Sequence, residues 1–485
     1  MGSLVRLAFL SVILISTASG LLTASRADTE KLPNIVLIMA DDMGYGDPGC
    51  YNPLSKTPTP NLDRLAAEGI RFTDAHAPAS LCVPSRYGLL TGRYPSRATL
   101  DWRNRAVIES GRLTISSLLK QSGYSTAMVG KWHLGFDGGP NHDLTRPLQG
   151  GPLDHGFDSY FGIPHSLDIT PYYYIRDRMA VQAPSGLIEA NASEGWSPIQ
   201  GAFWRAGPIA PDFRHIDVLP RFTEEAIDII EGHAGTEAPP PLFLYLALPA
   251  PHTPWLPTAA FKGQGGADMY GEFVAQVDNI VGQVLKALDE AGMSEDTLLI
   301  FSSDNGPVWY EVDVERYGHD SAGLFRGMKA DAWEAGHRVP FIVRWPGKAK
   351  PGQVSSYLVT FTDLLATFAS LVGYTLPSDA GEDSFDIMPA VLGESKERPE
   401  EQAIVFKADA TVIRKGPWKL ITHLGSGGFS KPKRIQPSEG GPKGQLYNLR
   451  DDPGETENLW SDRPDLVVEL TSLLDGYRQR GRSRP

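Results

Sequence analysis

NIVLIMADDMG, Asn34 to Gly44, carries the pattern on which the fold turns. Its first seven residues, Asn34 to Ala40, are a continuous apolar run rich in β-branched side chains, the composition of a strand buried on both faces of a parallel sheet. The run ends in Asp41-Asp42-Met43-Gly44. Open α/β sheets bind their ligands beyond the carboxyl ends of the strands, and two adjacent carboxylates placed there need a cation to be comfortable. A solvated acidic loop is the other reading of the pair.

Outward from this stretch the same arrangement recurs. Tyr124 to Val129 reads as a strand that runs into Gly130-Lys131-Trp132-His133, where Lys131 and His133 point the same way as i and i+2 residues of an extended backbone. Pro241 to Leu248 is a strongly apolar strand that delivers Pro249-Ala250-Pro251-His252-Thr253-Pro254. Prolines on either side leave His252 little freedom, which favours a positioned role, although from these residues alone an ordinary loop histidine is the stronger reading. Thr297 to Ser303 makes a further buried strand and ends in Asp304-Asn305-Gly306. Asp41, Asp42, Asp304 and Asn305 supply hard oxygen donors, the set that Ca²⁺ takes, and no Cys/His cluster with zinc spacing competes. Helical patterns lie between the strands, at Thr59–Gly69, Leu113–Ser122, Arg221–His233 and Tyr270–Ala291. The fold class expected is α/β: a large mixed, mostly parallel sheet flanked by helices. A Pro/Gly/Asp-rich linker over residues 376–399 separates this main domain, residues 28–375, from a smaller C-terminal α+β domain, residues 400–485. The latter has a short antiparallel sheet and a helix from Leu466 to Arg478.

The second informative stretch is Leu81-Cys82-Val83-Pro84-Ser85-Arg86-Tyr87-Gly88-Leu89-Leu90-Thr91-Gly92-Arg93. It places a thiol at the mouth of a short helix, where backbone N–H groups and the positive helix end converge. Arg86, one turn on, can lean over the same spot. A buried structural cysteine near a helix start fits these residues as well. Cys50 and Cys82 are the two cysteines of 485 residues. In an exported chain they would pair as one disulfide, unless Cys82 is chemically converted and Cys50 left unpaired.

Export is expected, to the periplasm or beyond. Arg6 precedes an apolar run from Leu7 to Ile15 and then small residues, which reads as a signal peptide over residues 1–27. The formal charge of the chain is −13, and loss of Arg6 and Arg26 with the leader makes the mature form two units more acidic. Such acidity argues against nucleic acid and anionic membranes as partners, and no later stretch suits membrane insertion. Any anion site must be a local cluster of cations.

CVPSR followed by LLTGR resembles the active-site signature of the type I sulfatases of the alkaline phosphatase superfamily. Four more blocks agree in family order: the Asp41-Asp42 strand end, Gly130-Lys131-Trp132-His133, the Asp304-Asn305 strand end, and Gly327-Met328-Lys329-Ala330-Asp331-Ala332-Trp333-Glu334-Ala335-Gly336-His337-Arg338-Val339-Pro340. The last departs from the family's pattern mainly at Met328 and Ala335. Tyr447-Asn448-Leu449 and the turn from Asp452 to Leu459 resemble the closing element of the family's smaller domain. The resemblance implies that Cys82 is oxidised to formylglycine by a formylglycine-generating enzyme during maturation. It implies also that the modified residue joins Asp41, Asp42, Asp304 and Asn305 around Ca²⁺, with Arg86, Lys131 and Lys329 as cations for a sulfate ester.

In that scheme one hydroxyl of the hydrated aldehyde attacks sulfur and His252 protonates the leaving alcohol. His133 helps the second hydroxyl to expel sulfate, and Ser166, in a GIPHS segment, hydrogen-bonds nearby. The partner expected is a small sulfate ester or a sulfated oligosaccharide, toward which the Trp- and Tyr-rich residues 136–215 lean. Three other readings stay open: a phosphatase or phosphonate ester hydrolase of the same superfamily, a thiol-dependent hydrolase using unmodified Cys82, and a non-catalytic sulfated-glycan-binding protein.

Overall fold

The structure is a computed structural model that describes residues 1–2, 31–139, 142–409 and 411–485. Apart from Met1 and Gly2, the expected signal peptide lies outside the described residues. Residues Pro33–Pro485 form one compact unit. Among the described residues no helix is long and apolar enough to cross a membrane.

A ten-stranded sheet organises this unit. Its strand order is Gln353–Ser355, Ile70–Phe72, Phe341–Arg344, Thr297–Ser303, Asn34–Asp41, Leu242–Pro251, Ser125–Lys131, Ser159–Ile163, Ile175–Arg176 and Met179–Ala180. The five long strands from Thr297–Ser303 across to Ser159–Ile163 run parallel, and antiparallel partners extend the sheet on either side. Every residue of Asn34–Asp41 is buried, as its unbroken apolar run requires. Helices Val218–Ala234 and Asp268–Glu290 pack on the sheet with buried stripes at helical spacing. The Leu242–Pro251 strand runs three residues past the apolar segment that announces it, through Pro249 and Pro251, because prolines are tolerated at a strand end where the ladder gives out.

The register sets where the chemistry falls. Ala40 lies opposite Ser303, Met39 opposite Ala247, Ala247 opposite Gly130 and Gly130 opposite Gly162. The strand ends that carry Asp304, Asp41, His252 and Lys131 therefore emerge side by side along one edge, with the end of Ser159–Ile163 next to them. Gly130 has φ +120°, and a Cβ there would stand 2.0 Å from the Ala247 carbonyl oxygen. Only glycine permits the backbone approach that delivers Lys131.

A four-stranded antiparallel sheet follows, in the order Ile404–Lys407, Thr411–Lys415, Trp418–Ile421, Gln445–Asn448. Helix Pro464–Arg480 covers one face through Leu470, Leu474 and Tyr477. The other face packs on Ala332 and Trp333 of the main domain.

Candidate active site

Each strand end contributes its polar residue. Asp41 closes the first strand, and Asp42 follows in a left-handed conformation at φ +66°. His133, two residues beyond the Ser125–Lys131 strand, is also left-handed, at φ +57°. Non-glycine residues hold such angles only where their surroundings impose them. Cys82 is the first residue of a helix, Cys82–Thr91, whose ten residues are all buried. The Ser85 hydroxyl donates to the Ala79 carbonyl, 2.9 Å away, and ties the helix start to the preceding loop. Cys50 and Cys82 are both free, which rules out the disulfide reading of the pair.

The structure brings ten of the eleven residues singled out in the sequence into one connected cluster. Cys82 Sγ lies 3.3 Å from His133 Nδ1. The ammonium group of Lys131 donates to Asp41 Oδ2, and that of Lys329 sits 2.6 Å from Asp42 Oδ1 and 2.8 Å from Oδ2. Asn305 Nδ2 donates to Asp42 Oδ1 at 2.6 Å. His252 Nδ1 meets the Thr253 carbonyl at 2.7 Å, which turns Nε2 toward Asp42 Oδ2, 3.7 Å away. Arg86 does not lean over the thiol. Its Nε donates to Asp304 Oδ2 at 2.9 Å and its Nη1 to the Lys131 carbonyl at 2.9 Å, so it clamps two strand ends together. Ser166 stands apart, its hydroxyl buried without a hydrogen-bond partner.

Electrostatics follow from this crowding. Burial pushes the Asp41 carboxyl up, but Lys131, His252, Arg86 and Lys329 together hold it well below the ordinary carboxylate range. Asp304 is raised to about 6 by burial and by the charge of Asp41, against the pull of Arg86. Burial lowers His133 well below the usual imidazole value, with Lys131 adding to the effect, so this ring is neutral. Burial raises the Cys82 thiol, against the opposite pull of Lys131 and Lys329.

The donor set fits a hard divalent cation. Asp41, Asp42, Asp304 and Asn305 offer oxygens, and Asp41 Oδ1 and Asn305 Oδ1 are buried without a partner. Ligand atoms of Asp41, Cys82 and Asp304 lie within 4.8 Å of one another. Oxygen donors of this kind suit Ca²⁺ or Mg²⁺ and not a thiolate-seeking metal.

Residues that sequence reasoning missed line the approach. Trp102 stacks edge-on against His133, ring centroids 4.5 Å apart. Asp168, Arg205 and Phe429 share a cavity with His252 and Lys329. Asp168 lies two residues beyond the GIPHS segment, the one local signal that could have found it. Arg205 and Phe429 carry none, being brought in from an irregular loop and from the C-terminal domain.

A sulfatase family model matches residues 33–374. The chain is 32% identical to the N-acetylgalactosamine-6-O-sulfatase of Bacteroides thetaiotaomicron, over 92% of this chain and 93% of that one. It is 34% identical to human arylsulfatase A, over 95% and 89%. Among solved structures, one described as belonging to the metabolism of multiple glycosaminoglycans by Bacteroides thetaiotaomicron superposes with a TM-score of 0.82 at 32% identity, covering 93% of this chain and all of that one. A Pseudoalteromonas sulfatase superposes with a TM-score of 0.72 at 25% identity, over 94% and 91%.

Proposed function

Because the chain belongs to the sulfatase family and so to the sulfuric ester hydrolases, we propose that it is an exported enzyme that removes sulfate from a carbohydrate, with Cys82 as its reacting residue. One observation supports this above the rest. Cys82 Sγ lies against His133 in a buried pocket where Lys131, Lys329 and Arg86 converge on Asp41, Asp42 and Asp304, a cluster of cations and carboxylates suited to an anionic ester. Matured to formylglycine, Cys82 supplies a hydrated aldehyde as nucleophile, and a calcium ion held by Asp41, Asp42, Asp304 and Asn305 supplies positive charge for the sulfate oxygens.

The remaining work falls to the chain's own side chains. Transfer of a sulfuryl group needs positioning and cations more than covalent ingenuity, as phosphoryl transfer does. Lys131 and Lys329, each paired with a carboxylate, are the cations available to the sulfate oxygens. His252, its Nδ1 committed to the Thr253 carbonyl, presents Nε2 as the position from which a proton reaches the leaving oxygen. His133, with Nδ1 facing the Cys82 position at 3.3 Å, is placed to assist deprotonation there. Arg86 holds Asp304 and the Lys131 backbone in place.

A sugar substrate is favoured by the relatives, which include N-acetylgalactosamine-6-sulfatases and arylsulfatase A. The test is release of inorganic sulfate from N-acetylgalactosamine 6-sulfate and from p-nitrophenyl sulfate, beside p-nitrophenyl phosphate, by protein made with a formylglycine-generating enzyme. Sulfate release that disappears in Cys82→Ala supports the reading. Preference for the phosphate, or full activity with a peptide that mass spectrometry shows still to hold the Cys82 thiol, overturns it.

A further inference from the structure

Proton donation to the leaving group fixes the side on which that group lies. His252 Nε2 and Lys329 Nζ both approach Asp42, and the three line a cavity of about 140 Å³. Asp168, Arg205 and Phe429 line the same cavity. A space of this size lies well below the roughly 300 Å³ at which drug-sized pockets begin, so it suits about one sugar ring.

Asp168 is 6% exposed. Its Oδ2 accepts from Arg205 Nη1, and the same nitrogen donates to the Asp168 carbonyl at 3.1 Å. Asp168 Oδ1 is buried with no partner. A buried carboxylate oxygen left unpaired costs free energy unless a ligand satisfies it. The cavity it lines is where a leaving alcohol protonated by His252 would sit. Arg205, its side chain 49% exposed, can offer further N–H groups from the same side.

Resting on the sulfatase reading above, we propose that Asp168 and Arg205 form the specificity pair for the leaving sugar. Asp168 Oδ1 accepts a hydrogen bond from a free hydroxyl on the ring that carries the sulfate, and Arg205 donates to the oxygen of that hydroxyl. A hydroxyl is the group that both accepts and donates, so it satisfies both members at once. An ether or acyl oxygen at that position leaves the carboxylate unpaired, and a second sulfate meets its charge directly. The enzyme therefore takes sugars whose hydroxyl at that position is unsubstituted, and it distinguishes them from aryl sulfates, which have none to offer.

The experiment compares kcat/KM for N-acetylgalactosamine 6-sulfate and for p-nitrophenyl sulfate in the wild type, Asp168→Ala and Arg205→Gln, the last chosen because that half-exposed side chain can be changed without opening the core. The ratio of sugar to aryl activity should fall roughly 10- to 100-fold in each variant, the size of a hydrogen bond to a charged group. Monodeoxy analogues of the sugar sulfate complete the cycle. One of them should lose a similar factor with the wild type and no further factor with Asp168→Ala. Unchanged ratios in both variants, or equal losses on every deoxy analogue, overturn the proposal while leaving the sulfatase reading intact. A wild type that releases sulfate from neither ester overturns the sulfatase reading and the pair with it.

Discussion

His252 is a positioned histidine because one ring nitrogen is spent on the Thr253 carbonyl, leaving the other for Asp42 and the substrate. If it is the proton donor, His252→Ala should lower kcat/KM on a sugar sulfate by roughly 10²-fold or more, since an alkoxide is a poor leaving group. On p-nitrophenyl sulfate, whose phenolate needs little protonation, the loss should stay below about tenfold. Matching losses would make His252 a sulfate ligand and shift the acid role to His133. The cation site gives a second prediction at this scale. Exhaustive chelation should abolish turnover and added Ca²⁺ should restore it, with metal analysis following both; full activity in a metal-free sample would refute the assignment. Asp304→Ala is the poorer probe, because it strands the buried Arg86 guanidinium at a cost of about 3–5 kcal/mol. Asp304→Asn, which keeps an oxygen toward Arg86, should lose activity with a smaller drop in melting temperature. The sequence makes these residues legible because each ends an apolar strand. It cannot show that Arg86 faces Asp304 and not the thiol, since 218 residues separate the two.

At the scale of elements, the segment that carries Lys329 is tied to the main domain by the Lys329 and Ala330 N–H groups, which donate to the Pro307 and Ser80 carbonyls, and its flanks are held by the C-terminal domain. Ala332 N–H donates to the Ser426 carbonyl at 2.7 Å, and Ser430 N–H to Asp331 Oδ1 at 3.1 Å. Trp333 Nε1 donates to Gln445 Oε1 at 3.0 Å. Arg326 Nη1 reaches the Glu455 carbonyl at 2.7 Å, and Lys419 lies between Glu334 and Glu455, all three buried. Gly428 presses on the residue beside the lysine: a Cβ there would meet the Ala330 carbonyl carbon at 2.3 Å and the Asp331 nitrogen at 2.5 Å. Gly428→Ala should therefore displace the Lys329 segment and lower kcat/KM on both ester types by about 10²-fold, the cost of a misplacement near 1 Å. Circular dichroism should stay close to wild type. Unimpaired turnover in a variant whose crystal structure shows the segment moved would break the link between anchoring and activity. Strands and long helices could be placed within a few residues from apolar periodicity alone. The anchoring could not, because its contacts join loops some hundred residues apart that share no periodic signal.

Across the whole molecule, the junction of the two sheets is a buried ionic network. His76 meets His337 Nδ1 at 2.9 Å, Asp74 Oδ1 at 2.8 Å and Arg414 Nη1 at 2.9 Å, with Glu334 and Arg338 behind them. Burial lowers its pKa to about 4, against the opposite pull of Glu334 and Asp74. Between about pH 6.5 and about pH 4 the unfolded chain takes up a proton that the folded chain refuses. Stability is thus lost as the pH falls through that window, by about 3 kcal/mol for this one group, and levels off below it. Glu455 works in the other sense, because burial raises it to about 7 and its contribution fades as the pH rises toward that value. The difference between wild type and His76→Phe isolates the histidine. Urea midpoints should show a gap in favour of the wild type at pH 7 that narrows by up to about 3 kcal/mol at pH 4, and a gap independent of pH would contradict the assignment. The tie between Lys329 and residues 426–455 also bears on the order in which the chain is made. Ribosomes deliver Asp41, Cys82, Lys131, His252, Asp304 and Lys329 long before Glu455, so a nascent chain can gather its cluster of charges before the flanks of the Lys329 segment find their partners. The full anchoring of that segment is completed once synthesis has reached the closing sheet.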